Sequence, residues 1–191
     1  MSFFRRLRGG RRIGGYIQYF GLEKWYTGLP SRQRELLLKV RPDLETATFT
    51  YTSETVGRFI SSCASEVAKY DADFAEQLYD KAQELDSDVI NRHYLLMSKA
   101  DFYKDHLADP AKWLKVIQDD LALLPAFVKA WKKRERIGAP GYPAVDEMIR
   151  VLRNRGDLPE ALALCREAQK LGLPGDWETQ MNNLRQRMQD T

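Results

Sequence analysis

Apolar residues recur every three to four positions along most of the chain after residue 52. This period places them on one face of a helix and differs from the strict alternation that a half-buried strand would show. Because the connections between the periodic segments are short, each predicted helix should run antiparallel to the one before it. These segments begin near Ser53, Asp73, Ser87, Asp109, Pro125, Pro143, Leu158 and Asp176.

The N-terminal part of the chain has a different pattern. Aromatic and aliphatic residues between Tyr16 and Tyr26 lie at near-helical spacing and predict one short, strongly aromatic helix. Ser31 is the predicted N-cap of a helix over residues 32–40, which Pro42 would end. The stretch TATFTYT alternates like a strand, but a lone strand has no partner for its backbone groups. We therefore expect an extended connector packed on the helices.

Together, these patterns predict an all-α fold in which antiparallel helical hairpins stack as a short solenoid or bundle. Residues 1–15 are rich in Arg and Gly and lack apolar periodicity, so we expect a flexible basic arm there. Residues 16–191 would form a single helical domain. Its predicted parts are aromatic helices and a connector at 16–52, helical hairpins at 53–138, and a C-terminal hairpin with a last helix at 139–191.

The charge of the chain is distributed unevenly. Its 191 residues carry a net charge of +3. Residues 1–41 have a net charge of +8, residues 42–108 of −7, and residues 109–191 of +2. Two interpretations fit this segregation. The basic arm could lie against the acidic middle of its own chain or of a second copy, or it could bind an external polyanion.

The sequence also suggests a location. The longest uncharged run, Ile13–Leu22, is much shorter than the roughly 20 apolar residues that a membrane-spanning helix needs. The N-terminal segment resembles a signal peptide only superficially, because its apolar part contains Gly and Gln and lacks a small-residue cleavage site. Cys63 and Cys165 are too few for a disulfide framework or a Cys-based zinc site. We expect a cytoplasmic protein with reduced cysteines and no membrane span.

Two segments carry small residues at a spacing that lets neighbouring helices approach closely. Both resemble the second helix of a tetratricopeptide repeat, preceded by first helices at 54–70 and 143–155. The two matches are 86 residues apart, which is between two and three repeat periods of roughly 34 residues. Residues 87–140 would then be a divergent centre. The matching residues are Ala75, Tyr79 and Ala82 in YDADFAEQLYDKAQELD, and Ala161, Cys165 and Ala168 in GDLPEALALCREAQKLGLPGD.

This resemblance implies a non-enzymatic protein-interaction module or scaffold that binds a peptide or another protein in a concave groove. In that family, the first helix of each hairpin lines the groove. The matching positions of the C-terminal hairpin are Asp146, Arg150 and Arg153, and the two arginines suit an acidic peptide or a terminal carboxylate. The earlier hairpin has apolar residues at these positions, so we expect that part of the groove to be covered. These residues are Gly57, Ile60, Ala64 and Val67.

A second hypothesis is a nucleic-acid-binding adaptor with two basic regions. An Arg/Gly-rich arm suits contacts to phosphate or RNA, and interleaved aromatic and basic residues can stack a base and neutralise phosphates. For the second region, the alternative is a solvated helix face with its Trp in the core. The residues are Arg5, Arg6, Arg8, Arg11 and Arg12 in the arm, and Lys129, Trp131, Lys132, Lys133, Arg134 and Arg136 in the second region.

No motif of a known catalytic or metal site stands out. His93 and His106 are too far apart for a helical metal pair; we expect His93 in the core with a hydrogen bond and His106 at a helix end. Asp119 and Asp120 are expected on an exposed helix face. The sequence therefore predicts no enzyme activity, no metal and no cofactor. A third hypothesis is a structural subunit that forms homo-oligomers through its aromatic N-terminal helix.

Overall fold

The computed structural model describes residues 13–48 and 51–190. Those ranges contain ten α-helices and no strand, so the all-α prediction is confirmed. In chain order the helices are α1 (Gly15–Tyr19), α2 (Glu23–Gly28), α3 (Ser31–Val40), α4 (Val56–Val67), α5 (Ala72–Leu85), α6 (Val89–Asp105), α7 (Pro110–Glu135), α8 (Pro143–Arg155), α9 (Leu158–Leu171) and α10 (Trp177–Gln189).

The chain divides into two compact units, residues 1–56 and 57–191. The boundary between the two units lies close to residue 52, where the predicted connector ends. In the first unit, the hydroxyl of Tyr26 donates a hydrogen bond of 2.9 Å to Glu45 Oε1. Burial raises the pKa of Tyr26, and the hydrogen bond to Glu45 raises it further, so the hydroxyl stays a neutral donor. The most buried side chains of this unit are Ile17, Leu22, Tyr26, Leu37 and Leu44.

The aromatic stretch forms two helices, not the single helix that its spacing predicted. Helix α1 ends because Gly21 adopts a φ of +66°, a left-handed conformation that glycine accepts without steric cost. The N–H of Leu22 then donates to the Ile17 carbonyl at 2.9 Å, as in a Schellman motif. The spacing of the hydrophobic residues does not reveal the left-handed backbone conformation of Gly21.

Two helix starts also differ from prediction. Helix α1 begins at Gly15, inside the segment assigned to the arm, and a Cβ there would lie 2.5 Å from the Leu44 carbonyl oxygen. Ser31 is the first residue of α3 and not its N-cap, because Pro30 takes that position. The Pro30 carbonyl accepts the N–H of Arg34 at 3.1 Å, which satisfies one of the free donors of the first turn.

Part of the predicted connector, Phe49 and Thr50, lies outside the described residues. Thr46 closes a turn, and Ala47, Thr48, Tyr51 and Thr52 are in neither a helix nor a strand.

The second unit contains α4–α10, and helices that follow each other in sequence pack together from α5 to α10. Local signals set most of their ends. Asp carboxylates accept N–H groups of the first turn at four helix starts, and two helices end at a glycine with positive φ. The N-caps are Asp71, Asp88, Asp109 and Asp176, and the C-terminal glycines are Gly156 and Gly172.

Residues 110–135 form one helix where the sequence predicted two. Pro125 was expected to begin a helix, but it lies inside α7. An interior proline removes a backbone hydrogen bond and costs roughly 3 kcal/mol. Leu124, Phe127 and Val128 are buried around it, and burying each such side chain stabilises by about 1.5–3 kcal/mol, which offsets that cost. Residues 87–140 thus contain two helices, α6 and α7, and the second is 26 residues long.

The small residues that carry the resemblance in the two matching segments are buried. Ala75 and Ala82 of α5 and Ala161, Cys165 and Ala168 of α9 are each 0% exposed. Their side chains leave little space between each helix and its neighbours, so close packing depends on their size.

The turn between α6 and α7 holds a strained residue. Ala108 has a φ of +48°, a conformation that costs a residue with a Cβ roughly 1–2 kcal/mol. We expect Ala108→Gly to stabilise the second unit by about 0.5–1 kcal/mol after the extra freedom of glycine in the unfolded chain is subtracted. Urea unfolding followed by circular dichroism measures the difference. The control Ala126→Gly, at an exposed position inside α7, should destabilise by about 1 kcal/mol. Destabilisation by both variants would contradict strain at Ala108.

Candidate functional site

The three predicted groove residues share helix α8 but do not line one cavity. Arg150 lies at the mouth of a cleft between α8 and the α6–α7 hairpin. Arg153 lines a separate pocket of about 50 Å³ against α10. Asp146 is exposed and lines neither of these cavities. Burial raises the pKa of the Cys165 thiol, and the charge of Asp146 raises it further.

The matching apolar positions of α4 lie in the interior. A Cβ on Gly57 would lie 2.5 Å from the Cβ of buried Asp86, so even alanine would need a shift of the neighbouring side chain. This face of α4 therefore offers no open groove. All four residues are buried: Gly57, Ile60, Ala64 and Val67.

The cavity at Arg150, which we call the α6–α8 cleft, has an outer and an inner section that share Lys104 and Trp113. The outer section has a volume of about 390 Å³, and the inner section about 70 Å³. Besides the shared residues, the outer section is lined by Ala108, Asp109, Pro110 and Arg150. The inner section is lined by Leu96, Met97, Ala100, Asp101, Ile117, Asp120, Pro143, Ala144 and Glu147.

Charges of both signs surround the cleft. Glu147 forms an ion pair with Arg150 one turn further along α8. Burial raises the pKa of Asp101, as do the charges of Asp105 and Glu147, while Lys104 lowers it. The outer section thus combines exposed cations with the half-buried indole of Trp113. An apolar side chain can pack on this indole while the cations bind a carboxylate.

A buried polar network links the three elements that form the cleft. Asp120 of α7 is 1% exposed, and its two carboxylate oxygens lie 2.9 and 3.1 Å from Nδ1 of His93 on α6. Because an ionised carboxylate can only accept, Nδ1 carries the proton and donates it. The hydroxyl of Tyr142, the N-cap residue of α8, donates to Asp120 Oδ1 at 2.9 Å and to the Asp120 carbonyl at 2.7 Å.

Ring packing reinforces this network. The ring of His93 stacks on that of Tyr142 at 4.1 Å between centroids and lies 4.6 Å from Phe127. Burial raises the pKa of Tyr142 far above its usual range, and the charge and hydrogen bond of Asp120 raise it further. Tyr142 therefore remains a neutral donor. The network holds the start of α8 against the α6–α7 hairpin and so fixes the width of the cleft.

The expectation for Asp120 is wrong, because this residue lies in the core and not on an exposed face. Its neighbour Asp119 does face solvent, where it pairs with Lys115 at 2.7 Å. The sequence contained a signal for the difference: Asp120 follows buried Val116 by four residues and precedes buried Leu124 by four. His93 is a hydrogen-bonded core histidine, as predicted.

A second polar network holds α5 against the same hairpin. The hydroxyl of Tyr103 and Nζ of Lys112 donate to Glu76 Oε1 at 2.8 and 2.7 Å. The hydrogen bond from Lys112 is the main cause that lowers the pKa of Glu76. Lys99, which is 7% exposed, donates to Asp80 at 2.6 Å. These bonds fix the first turn of α7, from which Trp113 projects into the cleft.

The predicted polyanion-binding residues fall into two groups. The arm residues Arg5, Arg6, Arg8, Arg11 and Arg12 lie outside the described residues. Residues 129–136 occupy the end of α7 and its C-cap. At 100° per residue, Trp131 lies roughly 160° around the helix from Lys129 and Lys133. Its half-buried ring stacks on Phe127 at 5.7 Å. These two lysines and Trp131 therefore do not share one face.

Two other cations of this region have partners within the second unit. Lys132 Nζ donates to the Leu171 carbonyl at 3.2 Å, at the C-terminal end of α9. Arg134 donates to Asp88 at 2.5 Å, at the N-cap of α6. Lys132 thus contacts the C-terminal end of α9, whereas Arg134 contacts the N-terminal end of α6.

The remaining residues that could carry chemistry lie at a helix end or in the core. His106 is the C-cap of α6, in agreement with its predicted place at a helix end, and Cys63 and Cys165 are buried free thiols. Residues 13–48 and 51–190 hold no group of three or more His, Cys, Asp or Glu side chains suited to a metal ion. No helix in this part of the chain has the length and apolarity that crossing a membrane requires.

The chain is 24% identical over 180 residues to a protein of Aquifex aeolicus (strain VF5) that is described as uncharacterized. The similarity covers 85% of this chain and 87% of that protein. No protein-family profile and no solved structure matches the chain. The description of the similar protein names no activity.

Proposed function

We propose that the chain is a non-enzymatic, tetratricopeptide-like interaction module whose α6–α8 cleft binds a peptide segment of another protein. One observation carries this proposal. The outer section of the cleft is open, has a volume of about 390 Å³, and joins the indole of Trp113 to the cations of Lys104 and Arg150. This combination fits a segment with an apolar side chain beside an acidic group.

The position of the cleft supports the same function. Its walls come from α8 and from the α6–α7 hairpin. Helices α6 and α8 are the first helices of two consecutive hairpins, and such helices line the groove in the tetratricopeptide family. The predicted groove residue Arg150 lies in this cleft, whereas Asp146 and Arg153 have no part in the proposed site. We place the module in the cytoplasm, where Cys63 and Cys165 would remain reduced.

The packing around the cleft favours tight binding. The bonds of Asp120 to His93 and Tyr142 hold the cleft walls in place before a ligand arrives. A preformed site loses less conformational entropy on binding than a site that becomes ordered only when the ligand binds. The ion pair with Glu147 likewise limits the orientations of the Arg150 side chain.

Selection from a phage library of random linear peptides tests the proposal. We expect the full chain to enrich peptides that place an aromatic or aliphatic residue beside Asp or Glu. In Lys104→Glu/Arg150→Glu, their affinity should fall about tenfold to a hundredfold, because each charged hydrogen bond contributes roughly 1.5–3 kcal/mol and some of it is screened at the surface. Isothermal titration calorimetry with the selected peptides measures the change.

The control is Lys69→Glu/Arg185→Glu, which alters two exposed cations outside the cleft and changes the net charge equally. It should bind the selected peptides as the unaltered chain does. Failure to enrich any sequence, or equal affinity in the cleft variant and the control, would contradict a peptide site in this cleft.

A further inference from the structure

A second groove runs between the C-terminal halves of α7 and α9, apart from the α6–α8 cleft. It is open, has a volume of about 390 Å³, and is lined by Pro125 of α7 and by Arg166, Glu167, Lys170 and Leu171 of α9. The side chain of Lys132 reaches across it, and its Nζ donates to the Leu171 carbonyl at 3.2 Å. Lys132 therefore lies beside Leu171, one of the residues that line the groove.

Helix α7 places a row of lysines along this groove. Lys129 follows Pro125 by four residues and precedes Lys132 by three, so it lies between two groove positions on the same helical face. Lys133 follows Lys129 by four residues and extends the row by one turn. All three lysines are exposed.

Helix α9 supplies cations to the opposite wall. Arg166 and Lys170 are four residues apart, are both exposed, and line the groove. Glu167 is the carboxylate among the residues that line it. Within the part of the chain that the structure describes, none of the two α9 cations and three α7 lysines forms an ion pair with a carboxylate. Their charge is therefore available to an external anion.

The layout of these cations indicates the shape of that anion. Residues four apart on a helix are separated by about 6 Å along its axis, so each wall presents a linear series of charges. The groove between the two walls, with a volume of about 390 Å³, admits part of one extended strand and is too small to enclose a duplex. A recessed linear groove also fits a chain of phosphates better than it fits a flat lipid surface.

We propose that the α7–α9 groove binds single-stranded nucleic acid through its phosphate backbone, without reading the bases. This site differs from the one that the sequence predicted. It keeps three lysines of the basic region, omits Trp131 and Arg134, and adds two residues of α9. Its members are Lys129, Lys132, Lys133, Arg166 and Lys170.

Fluorescence anisotropy of labelled oligouridylate and oligothymidylate, titrated with the full chain over a potassium chloride series, tests the site. Each phosphate contact to a single strand contributes about −0.7 to the slope of log affinity against log salt concentration. Arg166→Glu/Lys170→Glu should make the slope shallower by about 1.4 and weaken low-salt binding at least tenfold. Lys69→Glu/Arg185→Glu has the same net charge and should leave the slope unchanged. Circular dichroism checks that both variants keep their helical content.

Three results would overturn the proposal. The first is no binding of either oligonucleotide at the lowest salt concentration. The second is an equal slope in the groove variant and the control, which would assign binding to cations elsewhere, such as those of the arm. The third is binding to phosphatidylserine vesicles, lost in the groove variant, without binding of the oligonucleotides; that outcome would identify a lipid surface as the partner.

Discussion

Asp120→Ala is expected to destabilise the second unit by about 3–5 kcal/mol, since removing one member of a buried charged hydrogen-bonded set leaves the others unsatisfied. His93 would lose its carboxylate acceptor in a site where it is 1% exposed. Tyr142 would keep its bond to the carbonyl of residue 120 but lose the one to the carboxylate. Urea unfolding followed by circular dichroism measures the loss.

The adjacent residue provides the control for this prediction. The carboxylate of Asp119 is 42% exposed and pairs with Lys115 on the helix surface, so Asp119→Ala should cost no more than about 0.5 kcal/mol. Asp120→Asn keeps a side-chain oxygen that can accept and should fall between the two. Similar losses for Asp119→Ala and Asp120→Ala would show that the buried network contributes little to stability.

Ala161→Leu is expected to have the next largest effect, a destabilisation of about 3 kcal/mol. Ala161 is 0% exposed on α9, which packs against both α8 and α10. Three added carbon atoms would force these helices apart or push side chains away from their rotamer minima. Differential scanning calorimetry would record the effect as a lower Tm.

The same substitution two residues further along α9 serves as the control, because it adds the same side chain at a position where no helix packs. Ala163 is exposed, so Ala163→Leu should alter stability by no more than about 0.5 kcal/mol. If Ala161→Leu were tolerated as well as Ala163→Leu, the small residues on the buried face of α9 would not be needed for close helix packing.

Most of the helices could be predicted from the sequence because their signals are local. Asp109 before Pro110 and Gly172 after α9 mark helix ends that depend on nearby backbone groups alone. Two of the wrong predictions depend on other information. Gly21 ends a helix through its own backbone conformation, and Pro125 remains inside α7 because its neighbours are buried.

The candidate sites were harder to predict because each joins helices that are distant in sequence. Arg150 was selected from the family resemblance, but Lys104 and Trp113 reach the same cleft from another hairpin. In the α7–α9 groove, Arg166 and Lys170 join a lysine row that ends more than thirty residues earlier. The spacing of residues within one helix does not reveal which side chains of distant helices line the same cavity.

The two proposed sites can be occupied together. Trp113 of the cleft and Lys129 of the groove lie sixteen residues apart on α7, a separation of about 24 Å along the helix axis. The cleft variant and the groove variant should therefore each impair one activity and leave the other intact. A chain with both sites would connect a protein partner to a nucleic acid strand.

Hydrogen–deuterium exchange of the full chain, with and without a peptide selected from the library, tests the central claim most directly. Binding in the α6–α8 cleft should slow amide exchange at residues 100–117 and 143–153, because those segments carry the cleft walls and the elements that hold them. Exchange in α10 should stay unchanged. Slower exchange confined to α9 and α10, or no change at the cleft in the presence of a peptide that binds, would contradict the claim.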